Sequence, residues 1–319
     1  MAAALILTAV DFQARAKPVD VSIGGTALYN WWNPYWNNHK IMIQTQDLRR
    51  VVDTRAPRYS IIQQFLYGAD VSIKFLGNWE ISPSFQYGEA LTKGGNVAFY
   101  PMNMFPFLNP MYRTISMKLK QYNIYSSFGY YIVKYLKCYL GLRIEIINNS
   151  IVYNHLDLNP MFPPNELFVL EMYMKTLHIT PEAGFNIILP ISDAVSFICA
   201  VSGTLQSGSN RSDYGKTYSF DGWLIIPKIN FRSILRDIYL AAGCNTAAAF
   251  KITIPVVDIS VTMGGYYRIL RYFQTNHNRG VFDLDGSYDH KYGFFYSVAY
   301  TFSFGQRKKP NIWIPRPNY

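Results

Sequence analysis

Residue types that do chemistry are few in this 319-residue chain, and their spacing suits little of it. The densest group is Asp283-Leu284-Asp285-Gly286, followed by Asp289-His290. Acidic pairs beside a histidine suit hydrolysis, but here every candidate lies on one stretch of chain, with nothing to face it from another. The same aspartates match a fragment of a calcium loop whose later ligands and closing glutamate are missing. His178, in Leu177-His178-Ile179-Thr180, stands alone, and a lone inward histidine is usually just hydrogen-bonded. No Gly-x-Ser-x-Gly, P-loop or HExxH motif appears. Cys138, Cys199 and Cys244 are odd in number and far apart, so they read as small apolar residues, with no disulfide framework or zinc site. The expectation is a chain with no catalytic residue, no metal and no cofactor.

What remains is charge, and its placement follows a period of two. From Phe65 the chain sets Phe65, Tyr67, Ala69, Val71, Ile73 and Phe75 on one face, with Gly68, Asp70, Ser72 and Lys74 on the other. After Gly77-Asn78 it resumes with Trp79, Ile81, Pro83, Phe85 and Tyr87 against Glu80, Ser82, Ser84 and Gln86. Two alternating runs joined by such a turn read as a β-hairpin. The pattern returns around Ile115–Lys120, where the phase blurs near Gln121 as a bulge would make it, and again around Leu140–Ile146, Tyr173–Leu189, Trp223–Arg232 and Tyr292–Phe304.

These runs exceed the 5–6 residues or so of a soluble strand. Their apolar face is aromatic-rich, as 26 Tyr, 21 Phe and 6 Trp make possible, and only 16% of residues are charged. Apolar residues toward lipid and polar ones toward a lumen fit this pattern better than a soluble sandwich does. By parity Asp70, Lys74, Glu80, Lys118, Lys120, Arg143, Glu145, His178, Glu182, Lys228, Arg232, Lys251 and Arg268 line the lumen, with basic residues in excess. The net charge of +10 is spread along the chain, and nothing in it points to nucleic acid.

The connections fall into two classes. Gly77-Asn78, Val133–Leu136, Pro190–Asp193, Leu235–Asp237 and Pro255–Asp258 read as short turns. Longer loops are expected at 34–59, 91–112, 150–166, 206–217 and 274–288. Five short turns and two terminal strands give twelve strands, or ten if Ile238–Ile254 is a single element or a periplasmic excursion. The 97–111 loop is unusually apolar, and Phe99, Tyr100, Met102, Met104, Phe105 and Phe107 in it could meet a hydrophobic ligand, fold into the lumen, or pack against Trp31, Trp32 and Trp36 at the rim. Ala2–Val10 followed by Ala14-Arg15-Ala16 reads as a signal peptide cleaved near Ala16, although no basic residue precedes the apolar run.

The processing site, the hairpin Phe65–Tyr87 and the aromatic closing run Tyr300-Thr301-Phe302-Ser303-Phe304 together resemble a Gram-negative-type outer-membrane β-barrel. Tyr29-Asn30-Trp31-Trp32-Asn33-Pro34 and Tyr67-Gly68-Ala69 resemble segments of spirochaetal (treponemal) outer-membrane proteins. The resemblance implies an all-β, closed, antiparallel up-and-down transmembrane barrel over residues 17–305. A basic periplasmic tail over 306–319, after Arg307-Lys308-Lys309, would follow it. Long loops would lie outside the cell. Lipid, the barrel assembly machinery (through the last strand) and small solutes would be the partners. Omptin-type proteases and barrel phospholipases belong to the same architecture. The first needs facing Asp–His and Asp–Asp pairs and the second a His-x-Ser, and neither pattern is present. The function expected is a porin-like channel for small anionic or zwitterionic solutes. The alternatives are a fatty-acid or hydrophobic-ligand transporter and a structural or adhesive barrel.

Overall fold

The computed structural model describes residues 19–34, 61–101, 108–157, 165–221, 229–274 and 286–304. Alternation puts nearly all of them into ten strands: β1 (Val19–Asn33), β2 (Ile62–Phe75), β3 (Trp79–Pro101), β4 (Leu108–Val133), β5 (Leu136–Asp157), β6 (Asn165–Pro190), β7 (Val195–Asp221), β8 (Ile229–Ile254), β9 (Ile259–Gln274) and β10 (Tyr288–Phe304). Each strand pairs antiparallel with its sequence neighbours, and β1 pairs with β10 from Val19↔Phe304 to Asn33↔His290, so the sheet closes into a barrel with no free edge.

Four tight turns sit at one end. They follow Phe75, Val133, Pro190 and Ile254. In the first, Phe75 pairs with Trp79 across Leu76, Gly77 and Asn78. Leu76 (φ 50°) and Gly77 (φ 81°) both take left-handed conformations there, which the glycine adopts without strain.

The strand count is ten, the lower of the two expected values. The missing pair comes from one misread stretch. Residues 206–217, expected to be a loop, and Leu235–Asp237, expected to be a turn, lie inside β7 and β8, which pair without a break from Val195↔Ile252 to Tyr218↔Ile229. The polar run Gln206–Asn210 looks like a loop because both of its faces are hydrophilic. Yet Gln206, Gly208 and Asn210 are buried inside the barrel while Ser207 and Ser209 face out. The expected loops at 91–112 and 150–166 are likewise mostly strand, because β3 to β6 run on past the apolar belt.

Strand length explains the layout. Strands β4, β6 and β8 have 26 residues and β7 has 27, where a tilted strand needs only about 9–11 to cross a bilayer. The barrel therefore has two halves. Toward the tight turns the outer face is lipid-like: Ile81, Phe85, Phe128, Leu140, Val201, Phe250, Val298 and Phe302 are all exposed. Farther out the alternation inverts. Trp32, Ile62, Leu66, Met117, Leu119, Ile147, Met174 and Leu270 are buried inside, and Glu89, Lys118, Lys175, Arg211 and Arg236 face outward. The apolar side chains there form a core within the barrel. The three cysteines are free and lie at exposed or half-buried positions along the turn-side half.

Lipid on the turn-side exterior gives a graded cost for charge. Leu142→Arg, outward and six residues from the β4–β5 turn, should lower stability by about 2–4 kcal/mol. The inward Ser84→Arg in the polar chamber should cost less than half of that. Urea unfolding from phospholipid vesicles measures both, and equal costs would contradict a lipid-facing Leu142.

Candidate functional site

The inward charges of the middle strands meet in one network. Glu145 on β5 is 1% exposed and accepts two hydrogen bonds from Arg268 on β9, Nη1 to Oε1 at 3.0 Å and Nη2 to Oε2 at 3.3 Å. His178 on β6 lies with Nδ1 3.3 Å from Glu145 Oε2 and Nε2 2.6 Å from the Tyr239 hydroxyl on β8. A neutral ring with its proton on Nδ1 donates to the carboxylate and accepts from the tyrosine, so every atom is used. Gln121 on β4 reaches Glu145 Oε1 at 3.5 Å and accepts from Lys291 Nζ at 3.3 Å. Asp289 on β10 accepts from Trp32 Nε1 at 2.7 Å and from the Tyr272 hydroxyl at 3.1 Å. The Lys291 ammonium lies 4.8 Å from the Trp32 ring centroid.

One glycine makes room for this network. Every other residue of β7 faces inward here, and a Cβ at Gly208 would strike the ring of Tyr239. Glycine at this point of β7 lets Tyr239 lie across the interior and reach His178. The sequence showed Gly208 only as one small residue in a polar run, with no sign of the ring opposite.

On the turn side of the network is a chamber of about 430 Å³. Its charged walls are Lys137, Arg143, Glu145, Glu182, Arg268 and Lys291. Arg143 Nη2 stands 3.6 Å from Glu182 Oε2, which also accepts from Asn245 Nδ2 at 3.1 Å. Several buried polar atoms on these walls have no protein partner: Thr26 Oγ1, Asn30 Nδ2, Asn186 Oδ1, Asn245 Oδ1 and Arg268 Nε. Buried polar atoms are normally satisfied, so these five suit a wet or solute-accepting space, while Gln64, Asn149 and Thr204 carry others elsewhere in the barrel. Below the chamber, at the turns, Glu80 accepts from Lys137 (2.8 Å), Tyr131 (2.6 Å) and Ser82 (2.9 Å). Lys74 stands over the Tyr131 ring at 4.3 Å, and Lys251 lies near Glu80, Lys137 and Lys74.

Of the residues expected in the lumen, Asp70, Lys74, Glu80, Arg143, Glu145, His178, Glu182, Lys251 and Arg268 are placed inside, and Asp70 accepts from Ser297. Lys118 and Lys120 are corrections: they point outward, and Lys120 pairs with Glu89 at 3.1 Å. No bulge falls at Gln121. β4 keeps one register with β3 and β5 through that point, so Met117, Leu119 and Gln121 share the inward face. Lys228 lies outside the described residues, and Arg232 falls within β8. Phe99 and Tyr100 belong to β3, paired with Pro110 and Asn109, while Met102, Met104, Phe105 and Phe107 lie outside the described residues. Residues 1–16 and 306–319, and Asp283 and Asp285, also lie outside them. His290 faces outward, with Nδ1 2.8 Å from the Tyr267 hydroxyl, so Asp289 and His290 sit on opposite faces of β10 and form no pair. Alternation overlooked Asp289, Lys291 and Lys137. With them, the basic Lys74, Lys137, Arg143, Lys251, Arg268 and Lys291 face the acidic Asp70, Glu80, Glu145, Glu182 and Asp289, and the expected basic surplus nearly vanishes among the described residues.

Removing one member of a buried ion pair strands the other. Arg268→Met should destabilise the barrel by about 3–5 kcal/mol, read by urea unfolding in lipid vesicles. Gly208→Ala should displace Tyr239 and cost about 1–3 kcal/mol. An Arg268→Met variant within 1 kcal/mol or so of wild type would show that Glu145 is not held by this pair.

No family model matches the chain, and no curated protein matches it. Among solved structures it is similar to the Escherichia coli outer membrane protease OmpT (8% identity, 90% of this chain and 96% of that one, TM-score 0.34). It is similar also to the translocator domain of the Neisseria meningitidis autotransporter NalP (9% identity, 94% of each chain, TM-score 0.34). A third likeness is to the Pseudomonas putida toluene transporter TodX (7% identity, 91% of this chain and 90% of that one, TM-score 0.22). These are outer-membrane β-barrels of differing activity, and scores this low bear on neither the ligand nor the chemistry of this chain.

Proposed function

We propose that the protein is an outer-membrane barrel that passes small solutes of mixed charge through a lumen closed at rest, a gated variant of a porin-like channel. The observation that carries this reading is the chamber itself. It is lined by both signs of charge and by unpartnered donors and acceptors among apolar side chains, and is capped by a hydrogen-bonded network of side chains. Rings of charged side chains set solute preference in pores. Near-balanced charge favours a zwitterion over a simple anion. Side-chain networks that can exchange one set of pairings for another are the kind of element that switches between two states.

Export fits the same reading, with a leader removed after Ala16 and with β10 as the strand offered to the assembly machinery. The apolar stretch 97–111 supports a hydrophobic-ligand transporter only through its composition, whereas the chamber wall carries charges of both signs among its apolar groups.

Planar-bilayer recording tests this. Wild type should show brief, infrequent openings. Glu145→Ala with Arg268→Ala should give a steady current, and adding Arg143→Glu should move its reversal potential toward cation preference. Silence of the double variant, in protein shown to be folded by its heat-dependent gel mobility, would overturn the channel and leave a structural barrel.

A further inference from the structure

The outer face of the long strands carries a feature that the lumen does not explain. Register places Lys120 opposite Asn148, Asn148 opposite Lys175, Lys175 opposite Arg211, and Arg211 opposite Arg236. One cross-strand row from β4 to β8 is therefore basic at four of five positions. All five side chains face outward. Like charges directly opposite one another destabilise a sheet. Glu89 answers Lys120, but among the described residues Lys175 and Arg211 carry no ion pair. The adjacent row adds Lys118, Tyr173 and Asp213, and the two rows bound a cleft of about 380 Å³.

The position of the row is as telling as its charge. Going from it toward the turns, the outward residues become the lipid-type belt: Tyr122 and Ile124 after Lys120, Ile146 after Asn148, Leu177 and Ile179 after Lys175, Ile238 and Leu240 before and after the buried Tyr239. On β4, β5, β6 and β8 the charged row follows the apolar belt directly. That boundary is the headgroup level of a bilayer, where Lys and Arg side chains extend from apolar surface to phosphate.

We propose that the outward row Lys120, Lys175, Arg211 and Arg236, with Lys118, is a binding site for the anionic phosphate headgroups of the surrounding leaflet. Lys175 and Arg211 then have their counterions in the membrane, and the cleft between the rows holds a headgroup against Tyr173. The inference rests on the membrane reading above but is independent of whether the lumen conducts.

The test uses the full chain in nanodiscs of phosphatidylcholine with a minor fraction of phosphatidylglycerol. Lipid retained after mild detergent extraction is counted by native mass spectrometry. The expected result is several-fold enrichment of phosphatidylglycerol on wild type. Enrichment should be lost in Lys175→Gln with Arg211→Gln and kept in Arg271→Gln, an outward arginine on β9 away from the row. Enrichment that survives excess inorganic phosphate supports a lipid source, and enrichment abolished by it assigns the site to free phosphate and overturns the lipid. Folded, inserted protein with no enrichment, or with affinity for a soluble sulfated polysaccharide instead, overturns the inference while leaving the barrel in its membrane. A chain that does not insert at all overturns both.

Discussion

The interior of this barrel is organised around one carboxylate. Glu145 receives two hydrogen bonds from Arg268, one from Gln121 and one from the His178 ring. Through those partners it is linked to Tyr239 and Lys291. A charge removed from water is tolerated only when such partners replace its hydration. Neighbouring links through Gln206, Tyr272, Asp289 and Trp32 carry the connection to β7 and β1. Barrel closure supplies the geometry, because only a closed sheet can aim side chains from facing strands at one point. The network in turn fixes where the interior changes from polar chamber to apolar core.

That change explains what was legible in the sequence and what was not. Alternation identified the barrel, its antiparallel neighbours and four of its tight turns, because lipid on the outside enforces period two over every crossing. It also placed Arg143, Glu145, His178, Glu182 and Arg268 inside. It failed where strands outrun the bilayer. Beyond the belt the physical rule is the soluble one, apolar in and charged out, so Met117 and Leu119 point inward and Lys118 and Lys120 outward. The parity of residues is unbroken along β4, but the solvent on each side has changed. A reading that held the outside to be lipid throughout had to invoke a bulge at Gln121. The same extension made Gln206–Asn210 look like a loop and raised the strand count to twelve. Gly208 and Asp289 were out of reach for a different reason: their roles depend on side chains opposite them across a barrel whose register no single strand encodes.

The chemistry that the site allows follows from satisfaction more than from charge. Within the cap the carboxylates, the histidine and the tyrosine hydroxyls are all hydrogen-bonded, which makes the cap a structural unit. In the chamber, Arg268 Nε and the amide oxygens of Asn186 and Asn245 lack a protein partner, although Arg143 and Glu182 stand close together nearby. Breaking the cap, in this arrangement, means exchanging the Arg268 pairing for another one.

In this arrangement the network around Glu145 seals the chamber on its turn side from the opposite end of the barrel. Cysteine accessibility measures this directly. In a background with Cys138, Cys199 and Cys244 replaced by alanine, Asn245→Cys places a thiol on the chamber wall. In proteoliposomes of a single orientation, a membrane-impermeant maleimide should label it when supplied from the turn side and leave it unlabelled when supplied from the other side. Equal labelling from both sides in the resting protein would contradict the account.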